Sequence, residues 1–171
     1  MKETIRLVQL NHPGRGRKIA LVKEPNLQLL HSVQSLYDLA MEAIDHSTNI
    51  VELIDRYLSD DTIDYSSVYD GNSEWSILPS FDCPQNQFAC LVSATGLTHK
   101  NSAPNRQMMH TTGEASLTDS MKMYQWGVEG GRPPAGTVGT QPEWFYKGTG
   151  HLLKGHRAAF IVPPFGNDGD E

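Results

Sequence analysis

The stretch Gln141–Gly155, QPEWFYKGTGHLLKG, sets a lysine between an aromatic run and two closely spaced glycines. Trp144, Phe145 and Tyr146 have the bulk of strand residues that pack on a core, and Gly148 and Gly150 are the residue type that breaks such a strand. The expectation is a strand that buries Trp144 and Phe145 and gives way to a glycine turn, with Lys147 at the break. Glycine lets the backbone approach a ligand closely and aromatic rings exclude water, so a cation here is placed to meet an anion. A lysine at a strand end is also an ordinary surface group. The rest of the chain decides between the two.

Over 171 residues the formal net charge is −6, and the densest basic stretch is only Arg15, Arg17 and Lys18. That balance speaks against nucleic acid or an anionic membrane surface as partner. No run has the apolar length of a membrane span, and the opening MKETIRLVQL lacks the uninterrupted apolar core of a signal peptide, so a cytoplasmic protein is expected. Cys83 and Cys90 are too few for a disulfide framework, and their spacing is not the Cys-x-x-Cys of a zinc or redox site. Both are expected as free thiols.

Working forward from the N-terminus, Ile5–Leu10 and Lys18–Lys23 read as two strands joined through HPGRGR, a loop with proline and two glycines. From Ser35, Leu36, Leu39, Ala40, Ala43 and Ile44 recur at helical spacing, with Ser35 as the capping residue and His46-Ser47 as the stop. A second helix starts near Asn49 and carries Ile50, Leu53, Ile54, Tyr57 and Leu58 on one stripe. The polar, acidic segment SDDTIDYSSVYDGNSEW reads as a connection, which makes residues 1–75 a small α+β domain and residues 76–171 the beginning of a second one. Phe88–Ala94 reads as a short buried strand. LTDSMKMYQWGVEGG, residues 117–131, reads as a helix capped by Thr118 or Asp119 and closed by Gly127, with Met121, Met123 and Tyr124 either packed or turned to a ligand. Arg132 is the only anion-binding candidate in the loop that follows.

Just past the Phe88–Ala94 strand lies GLTHKNSAPNRQMMH, residues 96–110, which brings Thr98, His99, Ser102, Asn105 and Arg106 to the end of a strand, a common location for site residues. Taken together with FYKGTGHLLKGHRAAFIVPP from Phe145 to Pro164, this resembles the fumarylacetoacetate hydrolase superfamily of metal-dependent enzymes acting on 2-keto acids and acylpyruvates. In that superfamily a Gly-Leu-x-Tyr-x-x-His-x-x-Glu loop precedes a Phe-x-Lys strand, a small-residue turn and a strand ending in prolines. GLTHKNSA, TDSMKMYQWGVEGG and QPEWFYKG are similar to its sugar-acid branch, dehydratases of 2-keto-3-deoxy sugar acids from pentose catabolism. The resemblance implies a small N-terminal α/β unit followed by the first part of a mixed β-sandwich or β-roll core.

It implies roles as well. Lys147 approaches the substrate carboxylate or the developing enolate. Thr98, Asn105 and Arg106 join it in substrate binding, and His99 and Ser102 occupy the catalytic loop. Hydrolases of the superfamily activate water with the His-x-x-Glu pair, a carboxylate-oriented general base. Here those positions are Ser102 and Asn105, neither of which takes a proton near neutral pH. Cleavage of an acylpyruvate carbon–carbon bond is therefore disfavoured, whereas a lyase that expels water needs mainly to stabilise an enolate, with His99 left as a proton donor.

The superfamily binds Mg²⁺ or Mn²⁺ through a Glu-x-Glu pair and a later aspartate, oxygen ligands suited to a hard cation that a 2-keto acid chelates. Glu171 falls at about the first glutamate, and the chain given ends there. The expectation is a chain corresponding to the N-terminal part of such a protein, inactive by itself as a partial copy or serving as a non-catalytic fragment, with intact members forming homodimers or larger homo-oligomers.

Overall fold

In the computed structural model, residues 4–96, 117–161 and 164 are described. The chain divides into two compact units, Met1–Cys90 with Thr149–Glu171, and Leu91–Gly148. Both mix helix with antiparallel strands, so the α+β class expected from the sequence holds at that level.

The first unit is built on a five-stranded antiparallel sheet, ordered β4-β3-β2-β1-β5. β1 (Leu7–His12) and β2 (Gly16–Lys23) form the expected hairpin in a register running from Leu7 opposite Leu21 to His12 opposite Gly16. The loop is tighter than the sequence suggested because β1 runs on through Asn11 and His12. Gly16 adopts a φ of 67° where the chain turns back, a conformation glycine takes without strain. β3 (Asn26–Leu30) follows β2 across Glu24-Pro25, with Lys23 paired to Asn26.

Adjacent side chains of a strand point to opposite faces, and this sheet is apolar on both. Leu10, Ala20, Leu27 and Leu29 lie on one face with Val68 and Trp75. Ile19 and Leu30 lie on the other, under Val33, Leu39, Leu53 and Ile54. Leu29 and Leu30 are thus neighbours in sequence and members of different cores. A strand buried on both faces loses the alternation that marks a half-buried one.

The second face is covered by α1 (Leu36–Asp45) and α2 (Ile50–Tyr57), the two helices expected from the apolar spacing. Ser35 is fully buried; its hydroxyl accepts from the Asp38 amide at 3.0 Å and donates to the Asp38 carboxylate at 2.6 Å. The first of these bonds satisfies one of the amides the helix leaves unpaired, and the second fixes the hydroxyl that accepts it. Ser35→Ala is expected to lower stability by about 1 kcal/mol, read from the urea midpoint at unchanged m-value. An unaltered midpoint would show that the cap is dispensable. Asn49 caps α2 through the Val51 amide at 2.9 Å. The helices are tied by Tyr57, whose hydroxyl donates to Glu42 at 2.6 Å, and this bond to a carboxylate raises the phenol pKa above its ordinary value.

The opposite face is closed by the segment that reads as a connection. It contains β4 (Leu58–Asp64), paired to β3, and α3 (Tyr65–Tyr69), whose Val68 enters the core. β4 has an acidic, largely exposed sequence because it is a sheet edge, where charges such as Asp60 and Asp61 discourage pairing with another chain. β5 (Ser76–Ile77) completes the sheet beside β1. The chain returns to this unit after Thr149. A short 3-10 turn over Gly150–Leu152 is anchored by the Gly150 amide on the Cys90 carbonyl at 2.8 Å. The His156 amide then donates to the Ile77 carbonyl at 3.1 Å, and its ring stacks on Tyr69 at 4.4 Å. A Cβ on Gly155 would overlap the Ile77 carbonyl oxygen, so only glycine permits this approach.

The second unit holds β6 (Leu91–Thr95), α4 (Asp119–Gly130) and β7 (Trp144–Thr149). The buried strand expected over Phe88–Ala94 is instead a 3-10 turn at Gln87–Ala89 followed by β6, with Phe88 and Leu91 each 72% exposed. The cap on α4 is Thr118, and the helix runs past Gly127 to end at Gly131, whose φ of 57° suits a residue without a Cβ. Among the described residues no helix is long and apolar enough to cross a membrane.

Candidate functional site

Lys147 lies within β7. β6 and β7 form a two-stranded sheet, and it is bracketed by the Gly96 amide donating to the Glu143 carbonyl at 2.7 Å and the Gly150 amide donating to the Cys90 carbonyl. Those two bonds pair low numbers with high ones, so the strands are antiparallel. The strand does not break at Gly148: that residue is buried inside β7 with a φ of 151°, and the turn comes only at Gly150. Lys147 is accordingly a strand residue, half-buried, one position before the glycine.

Residues i and i+2 of a strand share a face, and the Lys147 ammonium sits 5.5 Å from the centre of the Phe145 ring. This cation–π contact is worth roughly 0.5–1 kcal/mol at an exposed position. Its larger effect is to orient the side chain. The aromatics are not the core expected of them. Trp144 is 68% exposed, Phe145 43% and Tyr146 58%. Among the described residues β7 pairs only with β6.

Gly96, the first residue of the GLTHKNSAPN motif, meets β7 at its beginning. A Cβ on Gly96 would displace the Glu143 carboxylate, the flexible end of that side chain, and would come within 3.0 Å of the Glu143 Cβ. The motif's own candidates, Thr98, His99, Ser102, Asn105 and Arg106, lie outside the described residues, as does Glu171. Of the expected site residues the structure therefore describes Lys147 alone. Lys147 is four positions along β7 from Glu143, a rise of roughly 13 Å.

Within α4 the choice between packing and ligand contact resolves for Met121, which is buried. Met123 and Tyr124 are partly buried, and Arg132 is exposed. Among the described residues no three His, Cys, Asp or Glu side chains come together as a metal-binding group, so the described part of the chain does not by itself fit a Mg²⁺ or Mn²⁺ site.

Among the described residues the most interconnected polar group belongs to the first unit and was not singled out in the sequence. Gln9 is fully buried, and its amide nitrogen donates to the Asp82 carboxylate at 2.9 Å and to the Pro79 carbonyl at 2.8 Å. Its amide oxygen accepts from the Leu36 amide at 2.8 Å, while Arg17 donates to Asp82 at 2.7 Å. The available signal was a glutamine flanked by Val8 and Leu10 in an apolar strand. A polar residue in such a register must find buried partners.

Compared with protein-family models, with curated proteins and with solved structures, the chain matches none.

Proposed function

We propose that this chain carries the lysine-bearing part of a 2-keto acid site of the fumarylacetoacetate hydrolase type, and that the reaction served is the dehydration of a 2-keto-3-deoxy sugar acid with Mg²⁺ or Mn²⁺ as cofactor. The observation that supports it most directly is the pairing of β6 with β7. It sets the first residue of GLTHKNSAPN beside the strand that carries Phe145-Tyr146-Lys147, though 47 residues separate Gly96 from Glu143 in the sequence. The first residue of one motif that resembles the superfamily thereby lies beside the start of the strand that carries the other.

In this reading Lys147 contributes a fixed positive charge. Held against Phe145 and half-withdrawn from water, it faces a smaller reorganisation on meeting an anion than a fully solvated lysine does. The ligand group is a carboxylate, or the enolate oxygen that forms when the carbon beside the keto group loses its proton. Ser102 and Asn105 at the water-activating positions favour loss of water from the substrate over hydrolytic carbon–carbon cleavage.

The test is an assay of the purified protein with Mg²⁺ against two substrates, a 2-keto-3-deoxy pentonate and an acylpyruvate, alongside amide NMR of β7 during titration with each. The reading expects the pentonate to shift the β7 resonances saturably and any turnover to be dehydration. Cleavage of the acylpyruvate without action on the pentonate would replace the lyase by the hydrolase. A β7 spectrum indifferent to both acids would leave a non-catalytic chain.

A further inference from the structure

Across the first unit, at the end of the sheet where β2 turns into β3, lies an open cavity of about 610 Å³ lined by Glu24, Pro25, Tyr65, Ser66, Tyr69 and Asp70. Two carboxylates and two phenol rings define its chemistry. The rings of Tyr65 and Tyr69 stand nearly perpendicular, 81° apart with centres 6.1 Å from one another, and so form a corner rather than a flat wall. The corner is held from behind. The Tyr65 amide donates to the Pro25 carbonyl at 3.0 Å, the side chain of Tyr65 packs against the core beside Leu27 and Val68, and His156 stacks on Tyr69.

The charges are equally specific. Glu24 lines the cavity and already takes a guanidinium: Arg6 meets one of its carboxylate oxygens at 2.9 Å. Asp70 is exposed at the end of α3 and, among the described residues, has no ion pair within 4.0 Å. Arg157 reaches the adjacent Gly71, 3.1 Å from where its Cβ would be, without closing such a pair.

We propose that this cavity binds a small organic ammonium ion. An aromatic face attracts a cation through its quadrupole, a neighbouring carboxylate attracts it through its charge, and an alkyl body covers the remaining apolar wall of Pro25 and the rings. The ammonium sits against Tyr69 with Asp70 as counter-ion, and the alkyl chain lies along Tyr65 and Pro25. A bare metal ion is a poorer fit. It keeps its water shell unless several oxygens replace it, and among the described residues Glu24 and Asp70 are the only carboxylates lining the cavity. The volume falls in the range of pockets that enclose a small molecule.

The experiment is an amide NMR titration of the whole chain with n-butylammonium chloride, run beside sodium chloride at matched ionic strength and beside n-butanol as the neutral analogue. The proposal expects saturable shifts at millimolar butylammonium, confined to Glu24, Asn26 and α3 with Asp70, no saturation with sodium, and binding by butanol at least tenfold weaker. Asp70→Asn, at an exposed position, should weaken butylammonium binding about tenfold, and Tyr69→Leu roughly threefold to thirtyfold. Arg157→Gln, which removes a nearby positive charge, should tighten it. Equal binding of butanol and butylammonium would reduce the cavity to an apolar groove, and shifts that grow without saturation, or that Asp70→Asn leaves unchanged, would overturn the proposal. None of these outcomes depends on Lys147 or on turnover.

Discussion

Asp82→Ala is expected to destabilise the protein by about 2–3 kcal/mol, a large effect for a residue outside the apolar core. Asp82 is 8% exposed and accepts from both Gln9 and Arg17. Its removal strands a guanidinium whose side chain is 23% exposed and whose Nε already lacks a hydrogen-bond partner among the described residues. Breaking a buried pair by deleting one member typically costs 3–5 kcal/mol. The residual water around Arg17 brings the expectation down. The same deletion leaves the Gln9 amide with one acceptor, Pro79, and loosens the point where β1, β2 and the first amide of α1 are joined. Asp82→Asn keeps an acceptor oxygen and should lose about half as much. The double change Arg17→Met with Asp82→Leu should recover most of the loss, because no charge is then left without a partner. Urea unfolding of the four proteins decides it; a single-mutant loss within 0.5 kcal/mol, about that of an ordinary surface substitution, would mean the ion pair is solvated.

This network also shows where sequence reading succeeds and where it stops. The helices were legible because their ends are written in short-range chemistry: Ser35 meets Asp38 three residues on, and Asn49 meets Val51 two residues on. The first hairpin was legible because its loop is punctuated by proline and glycine. β3 and β4 were not. Leu29 and Leu30 serve two different cores, so NLQLL has no clean alternation, and β4 spends its acidic residues on an edge where no apolar pattern is needed. Both strands are defined by partners distant in sequence, with Asn26 opposite Asp64 and Leu30 opposite Leu58. The network fails to announce itself for the same reason, since Gln9 and Asp82 are 73 residues apart.

In the second unit the residue types misled about burial while marking position correctly. Trp144-Phe145-Tyr146 has strand character, and a strand is what forms. Whether aromatics in a strand are buried depends on a covering layer that no local pattern specifies, and β7 with β6 alone among the described residues leaves them open to solvent. Gly148 reads as a breaker because glycine often is one. Here it extends the strand at a φ of 151°, and the break is deferred to Gly150, where a Cβ would press on the Gln87 carbonyl oxygen at 2.9 Å and on Cys90 at 3.0 Å. The neighbourhood of Lys147 is thus more exposed and more extended than its sequence implied. Its ammonium lies 5.5 Å from the centre of the Phe145 ring, two positions earlier in the same strand.

Lys147→Met is the change that tests this lysine most severely. Methionine keeps an unbranched apolar stem that still packs on Phe145, and it removes only the charged end. Stability should change little, with the thermal midpoint within about 4 °C of the parent, because the side chain is only half-buried and its cation–π contact with Phe145 is worth roughly 0.5–1 kcal/mol. Function should change a great deal. If the ammonium faces the carboxylate or the developing enolate of a 2-keto acid, its removal from an intact protein that carries the whole site lowers turnover of a 2-keto-3-deoxy pentonate on the order of a hundredfold, the effect of deleting one preorganised electrostatic contact. It also weakens the saturable response of the β7 amides to the acid. Lys147→Arg separates charge from shape: it restores the positive charge with a planar, wider head, so partial recovery of ligand binding marks an electrostatic role, and no recovery marks a positional one. Unchanged β7 shifts and unchanged rates in Lys147→Met would make Lys147 a surface residue of a two-stranded sheet, and the proposed site would have to be sought elsewhere in the chain.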